Sequence, residues 1–181
     1  MKKNIDFLKV FLSIALTVYF LNYAAHPADF HFIDGVNIVV HEGGHFMLAF
    51  FGEFLHILGG PLLQVALPIG FVIYYYKNKE YFSSSILLFW VGQNIINTSV
   101  YEGDAIMQNL PLLVPFGALG TETAVNDWTY LLSSTGLLNY TNTISYILFA
   151  VGVSIIVLAA ILSFINAKKS EPKVEIVFDS Q

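Results

Sequence analysis

The stretch Ile144–Ile165, ISYILFAVGVSIIVLAAILSFI, contains no charged residue and no proline. A bilayer hydrocarbon core of roughly 30 Å takes about twenty residues of helix. This run is long enough to cross and predicts a transmembrane helix. Composition extends that reading to the rest of the chain. Of the 181 residues, 56% are hydrophobic and only 12% are charged, against about 25% charged in an average soluble domain. So few charged side chains cannot wet the surface of a compact water-soluble domain, which argues against an ordinary soluble enzyme. The high apolar content argues against disorder. The chain reads as an all-α, polytopic membrane helical bundle. It has no Cys, which removes disulfide frameworks, Cys-ligated zinc, Fe–S clusters and thiol nucleophiles. A formal charge of −5, with eight Lys and no Arg, leaves no basic footprint for nucleic acid.

Working back from that span, three further long apolar segments come into view. The first is Val10–Ala25, preceded by Lys2, Lys3 and Lys9. Counted from Ile5 it is long enough to cross, and Tyr19 and Tyr23 sit near one end, as in an aromatic belt. A basic start, an apolar run and Tyr23-Ala24-Ala25 also fit a signal peptide, but with so many later apolar segments a retained first span is the simpler reading. Another segment runs from Ile57 to Tyr76, entered through Gly59-Gly60-Pro61, with Pro68 and Gly70 inside it. The last is Tyr81–Tyr101, whose second half carries Gln93, Asn94, Asn97, Thr98 and Ser99. Amides at such depth are costly unless they face protein or water.

Residues 26–37, with Pro27, two Asp and Gly35, predict a loop or interfacial turn. After them comes Ile38–Phe51, IVVHEGGHFMLAFF. Fourteen residues of helix rise only about 21 Å, so this element reads as re-entrant or protein-buried as readily as a full span. Residues 102–140 form the most polar long stretch, and 168–181 a short, charged, flexible tail beyond a single membrane-embedded domain over 1–167. The lysines cluster at the N-terminus, at 77–79 and at 168–173, while the stretch between the last two spans has four acids and no base. Placing all three clusters on the cytoplasmic side requires about four full spans, with the 38–51 helix entering without crossing.

The sharpest chemical signal is His41-Glu42-Gly43-Gly44-His45. Positions i and i+4 share a helix face, so both imidazoles can reach one ion, and Glu42 stands where it can take a proton from metal-bound water. This is the HExxH arrangement of zinc hydrolases. A Glu and two His in an apolar helix cost several kcal/mol without partners, so ionisable groups there point to function. The bland alternative is a hydrogen-bonded His pair in a membrane core. Gly43 and Gly44 each weaken the helix by about 1 kcal/mol; in return they allow close backbone approach by a neighbouring helix or an extended substrate.

Tetrahedral catalytic zinc takes three protein ligands and leaves a fourth position open. Without Cys, the third ligand is expected to be His, Asp or Glu. Asp104 and Asp127 lead, with Asp104 preferred because it follows the polar end of its segment. Asp127, in Asn126-Asp127-Trp128, also reads as a helix cap. Asn94 and Asn97 are candidates to hold an unwound substrate backbone, or else to make ordinary helix–helix amide bonds. His56, eleven residues past His45 and near a turn, reads first as an interfacial residue and second as a support behind the His41–His45 pair; His26 and His31 read as loop residues, and Gln64 as a fold-shaping one.

HEGGH in a membrane-embedded helix resembles the site-2 protease class of intramembrane zinc metallopeptidases, where Gly before the second His is frequent. That class also carries, in a later membrane segment, an Asn-Pro…Asp-Gly type motif. Its nearest match is Gln93-Asn94…Asn97…Asp104, with Gly103-Asp104 in reversed order and no Pro between. The resemblance covers roughly residues 36–105. It implies His41 and His45 as zinc ligands, Glu42 as general base and an Asp as third ligand. The implied reaction is hydrolysis of a peptide bond in or next to the membrane, in a transmembrane or membrane-adjacent protein. The expected setting is a bilayer, by family habit a bacterial plasma membrane. The alternatives are a non-catalytic membrane protein that keeps the metal for assembly or interaction, and, further off, a transporter. Nothing in the sequence sets the oligomeric state.

Overall fold

The computed structural model describes residues 5–110 and 126–168. Among them are six α-helices: α1 (Phe7–Ala25), α2 (Phe32–Leu48), α3 (Glu53–Lys77), α4 (Tyr81–Gly103), α5 (Asp127–Ser134) and α6 (Thr141–Asn166). Single 3-10 turns, Ala49–Phe51 and Leu138–Tyr140, follow α2 and precede α6. The described residues are all-helical apart from one isolated antiparallel bridge between Ile5 and Lys168. Among them, three helical stretches are long and apolar enough to cross a membrane: α1, α3 and Leu138–Asn166. The tail expected at 168–181 lies, beyond Lys168, outside the described residues, as do residues 111–125 with Glu122.

The bundle is apolar outside and partly polar inside. Phe7, Leu8, Phe11 and Val18 of α1, and Tyr146, Ile147 and Ile161 of α6, are exposed, whereas Ser13, Gln64, Ser84, Ser85, Gln93, Asn94, Ser99 and Ser163 are buried. That inversion suits a lipid solvent, in which apolar side chains gain little by burial and polar groups must find partners within the protein. Helices α4 and α6 form the most extensive contact. They run antiparallel: Ser145 Oγ donates to the Ser99 carbonyl at 2.9 Å and Asn166 Nδ2 to Ser85 Oγ at 3.0 Å. Gly92 and Gly152 let them approach, since a Cβ on Gly152 would stand 2.8 Å from the Gly92 carbonyl oxygen. Tyr23, Phe89, Ile96 and Ile156 fill the interior, and Phe20 stacks on Phe89 at 5.4 Å.

The lysine-bearing ends of three helices meet. Lys9 Nζ donates to the Lys168 carbonyl at 2.9 Å and lies 5.3 Å from the centre of the Phe82 ring at the start of α4. Lys77 closes α3, and Lys79 sits in the turn into α4 with φ at 62°. The N-terminus of α1, the α3–α4 turn and the C-terminus of α6 thus share one end of the bundle.

Two boundaries differ from the sequence expectation. The motif helix begins at Phe32 and not at Ile38, because the Asp34 carboxylate takes the His31 backbone N–H at 2.8 Å and closes the first turn. Residues 32–37 are therefore helix and not loop. Gly59-Gly60-Pro61 lies within α3 rather than forming its entry. The turn is made upstream by Gly52, whose φ of 91° favours glycine. Gly59 and Gly60 are instead contact positions. A Cβ on Gly44 would collide with the Gly59 carbonyl and stand 2.9 Å from Leu63 Cβ. Gly44 thus serves helix–helix approach, while a Cβ on Gly43 would meet only Leu63 Cδ2, at 3.8 Å.

Candidate metal centre

Helix α2 carries His41 and His45 one turn apart, their ring centres 4.7 Å from each other. Both Nε2 atoms converge on Oδ2 of Asp127, at 2.8 Å from His41 and 3.1 Å from His45. Asp127 is free for this role because Asn126 does the capping of α5: its Oδ1 accepts the Trp128 N–H at 2.9 Å. The three donor groups lie within 4.8 Å of one another. Their side chains remain 15–24% exposed, so the site can be reached from outside the protein.

The other ring nitrogens are held. His41 Nδ1 faces Gln64 Oε1 at 2.9 Å, and His45 Nδ1 faces the His56 carbonyl at 2.9 Å. Oxygens of this kind only accept, so each Nδ1 carries the proton and Nε2 is the atom turned toward the site. His56 returns the contact, its Nδ1 donating to the His45 carbonyl at 3.0 Å. Burial opposes ionisation of Asp127, but hydrogen bonds from His41 and His45, with their positive charge, outweigh it and hold the carboxyl down at about 2. The hydrogen bond to Asp127 raises the pKa of His45 above the ordinary imidazole value; burial works against this, and the His56 carbonyl and the charges of Asp127 and Glu42 add to it.

Two imidazoles and a carboxylate form a donor set that zinc accepts. Tetrahedral ligands about 2.0–2.1 Å from zinc stand about 3.3 Å apart, so the observed contacts would open by only a few tenths of an ångström. Space is also reserved. A Cβ on Gly60 would lie 2.5 Å from His45 Nε2 and 2.6 Å from His41 Nε2. Helix α3 therefore presents bare backbone where the two Nε2 atoms converge. The residues fit the ion.

The structure brings His41, His45 and Asp127 together and places Asp104 elsewhere. The preference for Asp104 is corrected by its own contacts: its carboxylate oxygens accept the backbone N–H groups of Asn109 at 2.9 Å and Leu110 at 2.8 Å, which closes the chain after α4. Glu42 follows His41 and is partly buried; its charge acts on His45. Both asparagines expected at a substrate are engaged inside the bundle. Asn94 is fully buried with its Nδ2 on the Trp90 carbonyl at 3.0 Å, and Asn97 accepts from Gln64 Nε2 at 2.8 Å.

Sequence reasoning passed over Asp34 and the inward place of Tyr23; it raised His56 as a support for the imidazole pair only as a second reading, and His56 and His45 do bond each other. A signal for Asp34 was present. Asp34, Asn37, His41 and His45 follow one another at spacings of three and four, which is one helix face. Assigning 26–37 to a loop hid it. Comparison of the chain with protein-family models, with curated proteins and with solved structures gives no match.

Proposed function

We propose that the chain is an intramembrane zinc metallopeptidase of the site-2 protease type, with His41, His45 and Asp127 as ligands and Glu42 as general base. The observation that carries this reading is the convergence of two Nε2 atoms from α2 and one carboxylate oxygen from α5, 86 residues away in sequence, against the bare backbone of Gly60. When bound, zinc supplies Lewis-acid polarisation of a carbonyl and a lowered pKa for water. The chain's own part is position and proton handling. His41 and His45 turn Nε2 inward because their Nδ1 protons are occupied. Asp127 brings the negative charge. Among the described residues the Glu42 carboxylate accepts no hydrogen bond, so it is free to take a proton from water and deliver it to the departing amine. A helical substrate must unwind to expose its carbonyl.

In this reading α1, α3, α4 and α6 cross the membrane, most simply a bacterial plasma membrane, and α2 is buried without crossing. Its 17 residues rise about 25 Å, and the shared end at which Lys9, Lys77, Lys79 and Lys168 lie supports a common cytoplasmic side. Helix α4 owes its lower apolarity to amides that face protein, not lipid. The test is Glu42→Gln on the full chain in detergent or liposomes, with a panel of membrane-protein substrates. The variant is expected to keep zinc and lose cleavage. Cleavage equal to the wild type would contradict the assignment.

A further inference from the structure

A chain of oriented side chains leads from His41, through α3 and α4, to a buried acid two turns earlier on its own helix. Gln64 Nε2 donates to Asn97 Oδ1 at 2.8 Å. Asn97 Nδ2 in turn lies 3.3 Å from Asp34 Oδ1 and 3.2 Å from the Tyr23 hydroxyl. The same Asp34 oxygen accepts from Tyr23 Oη at 3.1 Å and from Gln93 Nε2 at 2.9 Å. Its other oxygen takes the His31 N–H. Asp34 is 5% exposed, and every contact it makes is to a donor.

That pattern sets a direction. An ionised carboxylate only accepts, so Asn97 must turn its NH2 toward Asp34 and its oxygen toward Gln64. Gln64 must then give its NH2 to Asn97, which leaves its oxygen for His41. An oxygen facing His41 Nδ1 requires a proton there. A second branch has the same polarity. Trp90 Nε1, which can only donate, bonds Asn37 Oδ1 at 2.8 Å; Asn37 Nδ2 bonds Gln93 Oε1 at 2.9 Å; and Gln93 donates to Asp34. Both branches run donor to acceptor toward one carboxylate.

We propose that Asp34 is the remote charge that fixes the tautomer of His41, acting through Asn97 and Gln64, so that Nε2 is the atom offered to the metal. The proposal rests on the metal-centre reading above and deepens it: Gln64, Asn97 and Asp34 are positioning residues. A ligating His usually meets its carboxylate or carbonyl partner directly, and loss of such a partner weakens metal binding about 10–100-fold. Here two amides stand between the ring and the charge, and each must hold one orientation for the effect to reach the ring. The relay holds the Nδ1 proton whether Nε2 faces Asp127 or an ion.

The test is zinc affinity of the full chain in detergent micelles, by competition with a chromophoric chelator, with helicity and metal-free unfolding recorded for each variant. Gln64→Leu is expected to raise Kd about 10–100-fold and Asp34→Asn about 10-fold. The double variant is expected to be no weaker than Gln64→Leu alone, because the two act through one path. Gln64→Glu, which brings its own charged acceptor to His41, is expected to stay within a few-fold of wild type and to make Asp34→Asn silent. Either single variant binding within about two-fold of wild type, or effects that multiply in the double variant, overturns the relay. Should a variant fail to fold, imidazole 15N spectra of the zinc-loaded wild type decide: the relay requires His41 protonated at Nδ1 and ligating through Nε2, and ligation through Nδ1 overturns it. A wild type that binds no zinc overturns the metal centre itself; zinc binding indifferent to these variants overturns the relay alone.

Discussion

Substituting Gly60 by Ala tests the site with a single methyl group. The new Cβ would stand 2.5 Å from His45 Nε2, 2.6 Å from His41 Nε2 and 2.6 Å from His45 Cε1. Comfortable non-bonded contact needs about 3.5 Å, so both rings must retreat by roughly 1 Å or α3 must move away from α2. Retreat of the helix is opposed by the Gly44–Gly59 contact, where backbone meets backbone. Metal ligands tolerate about 0.2 Å. The displacement is several times that, and zinc affinity is expected to fall at least about 100-fold, or about 2.7 kcal/mol. Secondary structure is not the cause, since Ala is favoured over Gly in a helix by up to about 1 kcal/mol. Gly70→Ala is the control in the same helix, where a Cβ meets nothing within 4 Å, and it should bind zinc as wild type does. Chelator competition on the two variants provides the measurement. A Gly60→Ala protein that binds zinc like Gly70→Ala would refute the placement of the ion between the two rings.

Four further outcomes follow. Asp127→Asn should release zinc while Asp104→Asn retains it, because the Asp104 carboxylate takes the backbone N–H groups of Asn109 and Leu110 away from the imidazole pair; equilibrium dialysis reads both. Gly152→Ala should loosen the α4–α6 pair by about 1–3 kcal/mol, since its Cβ would lie 2.6 Å from Ile96 Cγ1 and 3.0 Å from Ile96 N; the fall should appear in thermal unfolding in detergent without preferential loss of metal. Acidification should expel zinc beginning above the ordinary imidazole range, because Asp127 raises the pKa of His45 in the metal-free protein and a ligating imidazole must be neutral. The metal-free protein should show the opposite trend near neutrality: the pair of protonated His45 with Asp127 contributes fully below the unfolded imidazole pKa of about 6.5, and that contribution is lost as pH rises through the higher folded value.

How much of this was legible in the sequence depends on the range of the interaction. The apolar runs at 7–25, 53–77 and 141–166 are local properties, and composition exposes them directly. His41 and His45 were legible because a four-residue spacing is itself a geometric statement on a helix. Asp127 was legible only as a candidate, since nothing local distinguishes a carboxylate that joins the two imidazoles from one that caps a helix; the distinction is made by Asn126, which takes the capping bond. Asp104 drew the preference because it follows the polar half of α4, a polarity that belongs to the Asp34 network and not to the His41–His45–Asp127 cluster. Asp34 was hidden by Pro27 and Gly35, which read as loop, although it lies on the same face as the two imidazoles. The inward role of Gly59 and Gly60 was invisible because close approach is a property of two helices, and the sequence presents them one at a time.

Zinc stoichiometry of the purified wild-type chain beside His45→Ala is the most direct measurement. One zinc per wild-type chain, lost in His45→Ala with helicity retained, is the predicted result. A wild type without zinc, or a His45→Ala protein that holds it equally well, would contradict the account.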